Sequence, residues 1–247
     1  MTVQKFEFDG TSIAIDVEGC FEPNLTTKLM LKSAIFCLEA GKPDFKRVLE
    51  LGCGSGVISA FLACHNYFDG VAELCISDIS EIAVTKALSN VMKFVKDREP
   101  LKVHSNTGSG FEPWHDEKFD LIINDISAIS DRVASLSNWF DFAPCNAGED
   151  GLINTLQIMD DFSEISDVGS VLLFPLLSLS NVSKFNHTVL EKGYKIEKFT
   201  SQKWPLPPEM CSEHSEELND LNNCGVIQLG HKFGQLIAET SIYKMTM

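Results

Sequence analysis

The sequence predicts an α/β fold, with a mainly parallel twisted sheet, an antiparallel edge strand, and an N-terminal hairpin plus helix. Three observations predict it. From residue 47 to residue 192, short apolar runs alternate with segments of helical periodicity, an order that implies parallel strands with helices on both faces. One of those runs, Val48-Leu49-Glu50-Leu51, passes straight into Gly52-Cys53-Gly54-Ser55-Gly56 and then a helix. Beyond residue 193 the alternation stops, and two β-rich runs remain with no clear helix between them.

In chain order, Val3–Phe8 and Ser12–Val17 are β-rich runs around Asp9-Gly10, a two-residue turn signal, and predict a hairpin. Thr26–Ala40 carries Leu29, Ile35 and Leu38 at helical spacing and stops at Gly41, a C′ glycine. Arg47–Leu51 predicts a strand, Val57–Cys64 a helix, Val71–Ser77 a strand and Glu81–Val95 a helix. Leu101–His104 and Phe119–Ile123 add strands; a helical stretch around Leu152–Ile165 precedes an apolar strand at Val171–Phe174. A further helix starts near Val182. Tyr194–Ser201 and Leu236–Lys244 read as an antiparallel pair at the sheet edge, separated by a long polar loop, Pro205–Gly225. We divide the chain into an N-terminal extension, residues 1–46, and a sheet domain, residues 47–247, folded as one compact unit.

The 247 residues can bury a substantial core without disulfides. With 20 Lys and Arg against 35 Asp and Glu, the net charge of −15 disfavours nucleic acid as a partner. No basic-then-apolar leader is visible, and the most apolar run, Val171–Leu179, is about half of a bilayer span and contains Pro175. The eight cysteines show no C-x-x-C spacing, and several sit in apolar runs, which points to reduced thiols and a cytoplasmic protein.

The glycine loop carries the chemistry. Glycines permit a tight turn and close backbone approach to a ligand, and the following helix presents free N–H groups. The spacing is G-x-G-x-G with Val57 next, so it meets neither the dinucleotide fingerprint nor the P-loop pattern. The second strand of the unit ends at Ile76-Ser77-Asp78, which sets a carboxylate beside the loop, where it could accept bonds from both hydroxyls of a ribose. Glu50 is a second acid at the same pocket. Such a pocket suits a ligand bearing ammonium or sulfonium better than one bearing pyrophosphate. S-adenosyl-L-methionine has both cations and a ribose.

These residues resemble the class I S-adenosylmethionine-dependent methyltransferases, and more narrowly the HemK/PrmC-like "methyltransferase small domain" group. The resemblance spans roughly residues 20–175 in several blocks. Phe21-Glu22-Pro23-Asn24-Leu25-Thr26-Thr27 resembles the family's aromatic-Glu-Pro lead-in. Asp78-Ile79-Ser80 with Ala83, Ala87 and Asn90 resembles its D-I-S-x-x-A-x-x-x-A-x-x-N block, and Gly148–Leu152 its G-x-D-G-L stretch. The resemblance implies a Rossmann-like fold and a methyl transfer to a protein side chain or a small molecule. It implies that Glu50, Gly52, Gly54 and Gly56 line the methionyl side of the cofactor. It implies too that Asp78, with Ile79, holds the ribose, and that Asn106 stands near the adenine.

The family's N-P-P-Y is here Asn124-Asp125-Ile126-Ser127, so the two prolines and the ring that clamp a planar amide are gone. By resemblance Asn124 keeps a place beside the cofactor and the acceptor. Asp125 is either a base or ion partner for the nucleophile, or the cap of a following helix. Loss of the clamp leaves a second reading open: a non-catalytic cofactor-binding or partner-subunit protein with this fold.

Other constellations count for less. Cys211, His214, Cys224 and His231 fit no common zinc spacing and read as solvated loop residues, so no metal is expected. Trp114, Trp139 and Trp204, with Phe140, Phe142 and Pro205–Pro208, either form an apolar acceptor pocket or anchor core and loops; the latter is preferred for Trp139. Ser178–Asn181 either faces substrate or caps the helix at Val182.

Overall fold

A computed structural model describes residues 2–41, 44–95, 101–126, 128–141 and 145–247. Strands β1 (Val3–Phe8) and β2 (Thr11–Asp16) form the expected hairpin, with Asp9 at φ 47° and Gly10 at φ 76°. Positive φ at both turn positions is what a tight two-residue hairpin turn requires. Helix α1 (Leu25–Gly41) follows, its first turn capped by Asn24 Oδ1, which accepts the Thr26 N–H at 2.8 Å. Gly41 is the last helical residue, not a residue beyond the helix.

The main sheet takes β3 (Arg47–Leu51), β4 (Glu73–Asp78), β5 (Lys102–Thr107), β6 (Phe119–Asn124), β7 (Ser166–Leu177), β8 (Ile196–Pro205), β9 (Gly230–Lys232) and β10 (Gln235–Thr246). Their order is β5-β4-β3-β6-β7-β10-β8, with β9 also pairing with β10. Neighbours from β5 to β7 are parallel; β10 runs antiparallel between β7 and β8. The antiparallel strand therefore lies one place in from the edge, and β8 is the edge. Strand β7 extends to twelve residues and includes Pro175. Its pairing with β6 ends at Leu173, so no parallel neighbour is paired with Pro175.

Side chains alternate between the two faces as a doubly covered sheet demands. Val48, Leu121, Ile123 and Leu173 join one core; Leu49, Ile122, Leu172 and Phe174 join the other. The first core lies under α1, α2 (Val57–Cys64) and α3 (Glu81–Val95), and the hairpin adds Phe6 and Phe8 against Phe61 at 6.1 and 5.6 Å between ring centroids. The second lies under α5 (Ile153–Asp161) and α6 (Val182–Lys192), between which α5 gives way to a single 3-10 turn at Phe162–Glu164. Asn181 caps α6 by accepting the Lys184 N–H at 2.9 Å, so Ser178–Asn181 takes its capping role.

The expected loop Pro205–Gly225 is instead two short helices, α7 (Pro208–Glu213) and α8 (Ser215–Asn223). Met210, Leu218 and Leu221 bury against Leu206, Ile227 and Leu236 in a third apolar cluster. Cys211 packs on that cluster, His214 joins α7 to α8, Cys224 ends α8, and His231 lies on β9. None of the eight cysteines, all among the described residues, forms a disulfide. Among the described residues no helix is long and apolar enough to cross a membrane. Phe142 and Ser127 lie outside the described residues.

Candidate functional site

The carboxyl ends of β3, β4 and β6 and the loop after β5 open on a cavity of about 1150 Å³. This is where ligands bind in open parallel sheets, because the strand order reverses there. The chain leaves β3 and turns through Gly52, Gly54 and Gly56, all at positive φ (67°, 51° and 71°). Two of them also stand where a Cβ has no room. At Gly52 it would meet the Ile126 backbone at 3.0 Å, and at Gly56 the Ala87 Cα at 2.7 Å. Gly54 differs, since nothing lies within 4 Å of its Cβ position and it faces the cavity. A side chain there would fill space that the loop leaves to a ligand.

Asp78 ends β4 and closes the loop from the far side. Its Oδ2 accepts the Gly54 N–H at 2.9 Å, and its Oδ1 accepts the Ser80 N–H at 2.9 Å. Each oxygen keeps a lone pair toward the cavity side for a hydroxyl. Ile79, beside it, is exposed at the cavity rim. Ser55 lines the same wall, and its buried hydroxyl has no hydrogen-bond partner among the described residues. Asn90, the last residue of the D-I-S block, is buried and donates to the carbonyls of Asp16 and Ser55, both at 2.9 Å. It ties the N-terminal hairpin, the glycine loop and α3 together.

Glu50 is 1% exposed, and one carboxyl oxygen accepts from both the N–H and the hydroxyl of Ser59. Burial outweighs those bonds and, with Asp125 nearby, raises its pKa to about 8. Asp125 lines the cavity beside the start of the glycine loop, its N–H bonded to the Leu51 carbonyl at 3.0 Å. It accepts from the Thr27 hydroxyl at 3.2 Å, and burial raises its pKa to about 7. No helix begins at Ile126: the next, α4 (Asp131–Ala134), is capped by Ser130, so Asp125 is not a helix cap. Cys53 also lines the cavity, and burial beside Glu50 and Asp78 pushes its thiol well above the usual range, which disqualifies it as a thiolate nucleophile.

Of the residues expected from sequence, Glu50, Gly52, Gly54, Asp78, Ile79 and Asp125 meet at this cavity. Three do not line it. Gly56 caps α2 and is pressed on Ala87. Asn124 is 2% exposed, and its side-chain oxygen accepts the Ile126 N–H at 3.1 Å, holding the turn rather than facing the cavity. Asn106 lies in a separate cleft with Arg47, Glu73 and Trp114, its amide aimed at the Pro113 carbonyl. The cavity wall on that side is Gly108–Glu112, which the sequence pattern did not single out. Trp114 is core, its indole N–H donating to the Ser77 hydroxyl at 3.0 Å.

Residues 26–125 match the model of the methyltransferase small domain. The match runs from the second residue of α1 to Asp125, about two fifths of the chain. The fold is that of the class I methyltransferases. The chain is similar to the S-adenosylmethionine-dependent methyltransferase from Agrobacterium tumefaciens, with 13% identity and TM-score 0.55 over 99% of this chain and 70% of that one. The YcgJ protein from Bacillus subtilis gives 13% identity and TM-score 0.52, over 87% and 98%. Magnesium protoporphyrin IX methyltransferase from Synechocystis, solved with bound S-adenosylmethionine, gives 14% and 0.48, over 91% and 85%. No curated protein sequence matches the chain.

Proposed function

We propose that the chain transfers a methyl group from S-adenosylmethionine to a protein side chain or small molecule, as a cytoplasmic enzyme with HemK-like kinship. The observation that carries this is the pairing of Gly54 with Asp78 across the mouth of the glycine loop. It leaves an open backbone cradle on one side and a hydroxyl-accepting carboxylate on the other. The cavity fits such a cofactor in charge as well. Seven acidic side chains line it (Glu22, Glu50, Asp78, Glu112, Asp125, Asp141, Asp161), and no Lys, Arg or His does among the described residues.

When bound, the cofactor supplies a methyl group made electrophilic by its sulfonium. The rest is positioning and electrostatics, which the chain provides. Asp78 holds a ribose, Gly52 and Gly54 let the backbone approach, and Glu50 and Asp125 face cationic charge. Asn124 acts as a positioning residue, fixing the turn that presents Asp125. Asp125, with a pKa near neutrality, receives a proton from a protonated nucleophile. We read residues 1–46 as an extension of the domain 47–247, since Phe21–Thr27 closes one side of the cavity and the Thr27 hydroxyl holds Asp125.

Calorimetry with S-adenosylmethionine and its demethylated product tests the reading. Wild type binds both, and Asp78→Ala weakens each by about tenfold or more, the loss of charge-assisted bonds. No binding to wild type overturns it. Incubation with methyl-tritiated cofactor and cell extract then separates an enzyme from a non-catalytic relative, which binds cofactor but labels nothing.

A further inference from the structure

We propose that the cavity's second half binds a small organic amine with an apolar body, entering as its ammonium ion, whose nitrogen is the methyl acceptor. This rests on the methyltransferase reading above and adds the acceptor's chemistry to it.

The cavity divides by the strands beneath it. Over β3, β4 and β5 its wall is backbone and acid, with Gly52, Gly54, Asp78 and the Gly108–Glu112 loop. Over β6, β7 and β8 the wall is aromatic and comes from three distant segments: Phe21 before α1, Trp139 and Phe140 after α4, and Trp204 at the end of β8. These rings are assembled in pairs. Phe21 and Phe140 lie 5.6 Å apart, and Trp139 and Trp204 6.2 Å apart, centroid to centroid. At about 1150 Å³ the cavity exceeds the range of roughly 300–1,000 Å³ usual for a single ligand site, so a cofactor leaves room for a second molecule.

Charge selects that molecule. The aromatic half holds Glu22, Asp125 and Asp141, and none of them is ion-paired with a described residue. No Lys, Arg or His stands among the described lining residues to receive an anion. Aromatic faces attract cations and gain from apolar contact, and carboxylates beside them reinforce the same preference. A phosphate- or carboxylate-bearing acceptor finds no partner there. The reaction balances with groups on the page. The ammonium proton passes to the Asp125 carboxylate, and the freed nitrogen lone pair forms the N–C bond. The methyl carbon's bond to sulfur breaks with its electron pair left on sulfur.

The test uses the full chain and three matched probes: 2-phenylethylamine, 2-phenylethanol and phenylacetate. Each is titrated by tryptophan fluorescence in the presence of saturating S-adenosylhomocysteine, whose own binding is measured first by calorimetry. The expected result is saturable quenching by the amine, tighter than phenylacetate by about tenfold or more. Tritium from the labelled cofactor then appears in the amine. Asp141→Asn, at an exposed position of the aromatic half, is expected to narrow the amine preference by about threefold. The proposal falls if phenylacetate binds as well as the amine, if S-adenosylhomocysteine binds but no probe does, or if cell-extract label is recovered only in protein. If S-adenosylhomocysteine itself fails to bind, the methyltransferase reading falls, and this one with it.

Discussion

Replacing Glu50 by Gln tests the electrostatic core of the site. The carboxyl is 1% exposed, and its pKa rises from 4.5 to about 8 because burial disfavours the anion more than the two Ser59 donors favour it. Below pH 4.5 the group is protonated in folded and unfolded chain alike and contributes nothing. Between 4.5 and 8 the unfolded chain releases the proton while the folded chain retains it, so stability falls as pH rises. Above 8 both forms are ionised and the deficit is constant. At about 1.4 kcal/mol per pH unit the whole window is worth about 5 kcal/mol at most. Glu50→Gln keeps an oxygen for the Ser59 donors and removes the titration. Thermal unfolding of ligand-free protein is expected to agree for wild type and variant at pH 5. At pH 9 the variant should melt higher, by about 5–15 °C for a domain of this size. Asp125, raised from 3.8 to about 7, contributes a parallel fall that persists in the variant, and Asp125→Asn removes it. Stability curves of wild type and Glu50→Gln that run parallel from pH 5 to 9 would refute the argument, since Glu50 would then be ionised in the folded state.

Two further outcomes follow from the same geometry. Gly56→Ala places a Cβ 2.7 Å from the Ala87 backbone at a φ of +71°, so it is expected to destabilise by about 2–4 kcal/mol, read as a lowered midpoint in urea with m unchanged. A cation entering the cavity lowers the proton affinities of Glu50 and Asp125, so cofactor binding near pH 7 releases protons and tightens as pH rises. Calorimetry in two buffers of different ionisation enthalpy measures the number released, and zero contradicts the placement of the cation beside them.

The glycine-loop side of the cavity was legible because its information is local. Residues 47–95 fold as strand, glycine loop, helix, strand and helix, with α2 and α3 bounded as expected and the carboxylate of Asp78 beside the loop. The aromatic side was not. Trp139 meets Trp204, 65 positions further on, and Thr27 meets Asp125, 98 positions further on, contacts that no periodicity announces. Helices α7 and α8 were hidden by composition. Glu213, Glu216, Glu217 and Asp220 form a solvated face, and only Met210, Leu218 and Leu221 mark the buried one. Asn106 does not line the cavity because strand β5 runs three residues past His104, carrying Asn106 within the strand and leaving Gly108–Glu112 as the loop there.

That asymmetry follows from how the sheet is built. Parallel strands deliver their carboxyl ends to one edge, so a glycine loop and the acid of the next strand meet without help from elsewhere in the chain. The aromatic half has no such guarantee, because β7 and β8 are separated in the sheet by the antiparallel β10. Its wall must be supplied by whatever the chain lays over that end: the Phe21–Thr27 lead-in, the segment after α4, and the turn from β8 into α7. The turn Asn124-Asp125-Ile126 is where the two halves are joined. Asp125 N–H bonds to the Leu51 carbonyl at 3.0 Å, its carboxylate to Thr27, and Ile126 packs where Gly52 has no side chain. A proline at position 125 would lose the first of these bonds. The turn is thus anchored through both the backbone N–H and the carboxylate of one residue, and a side chain at position 125 that lacks either would free the glycine loop from the lead-in to α1.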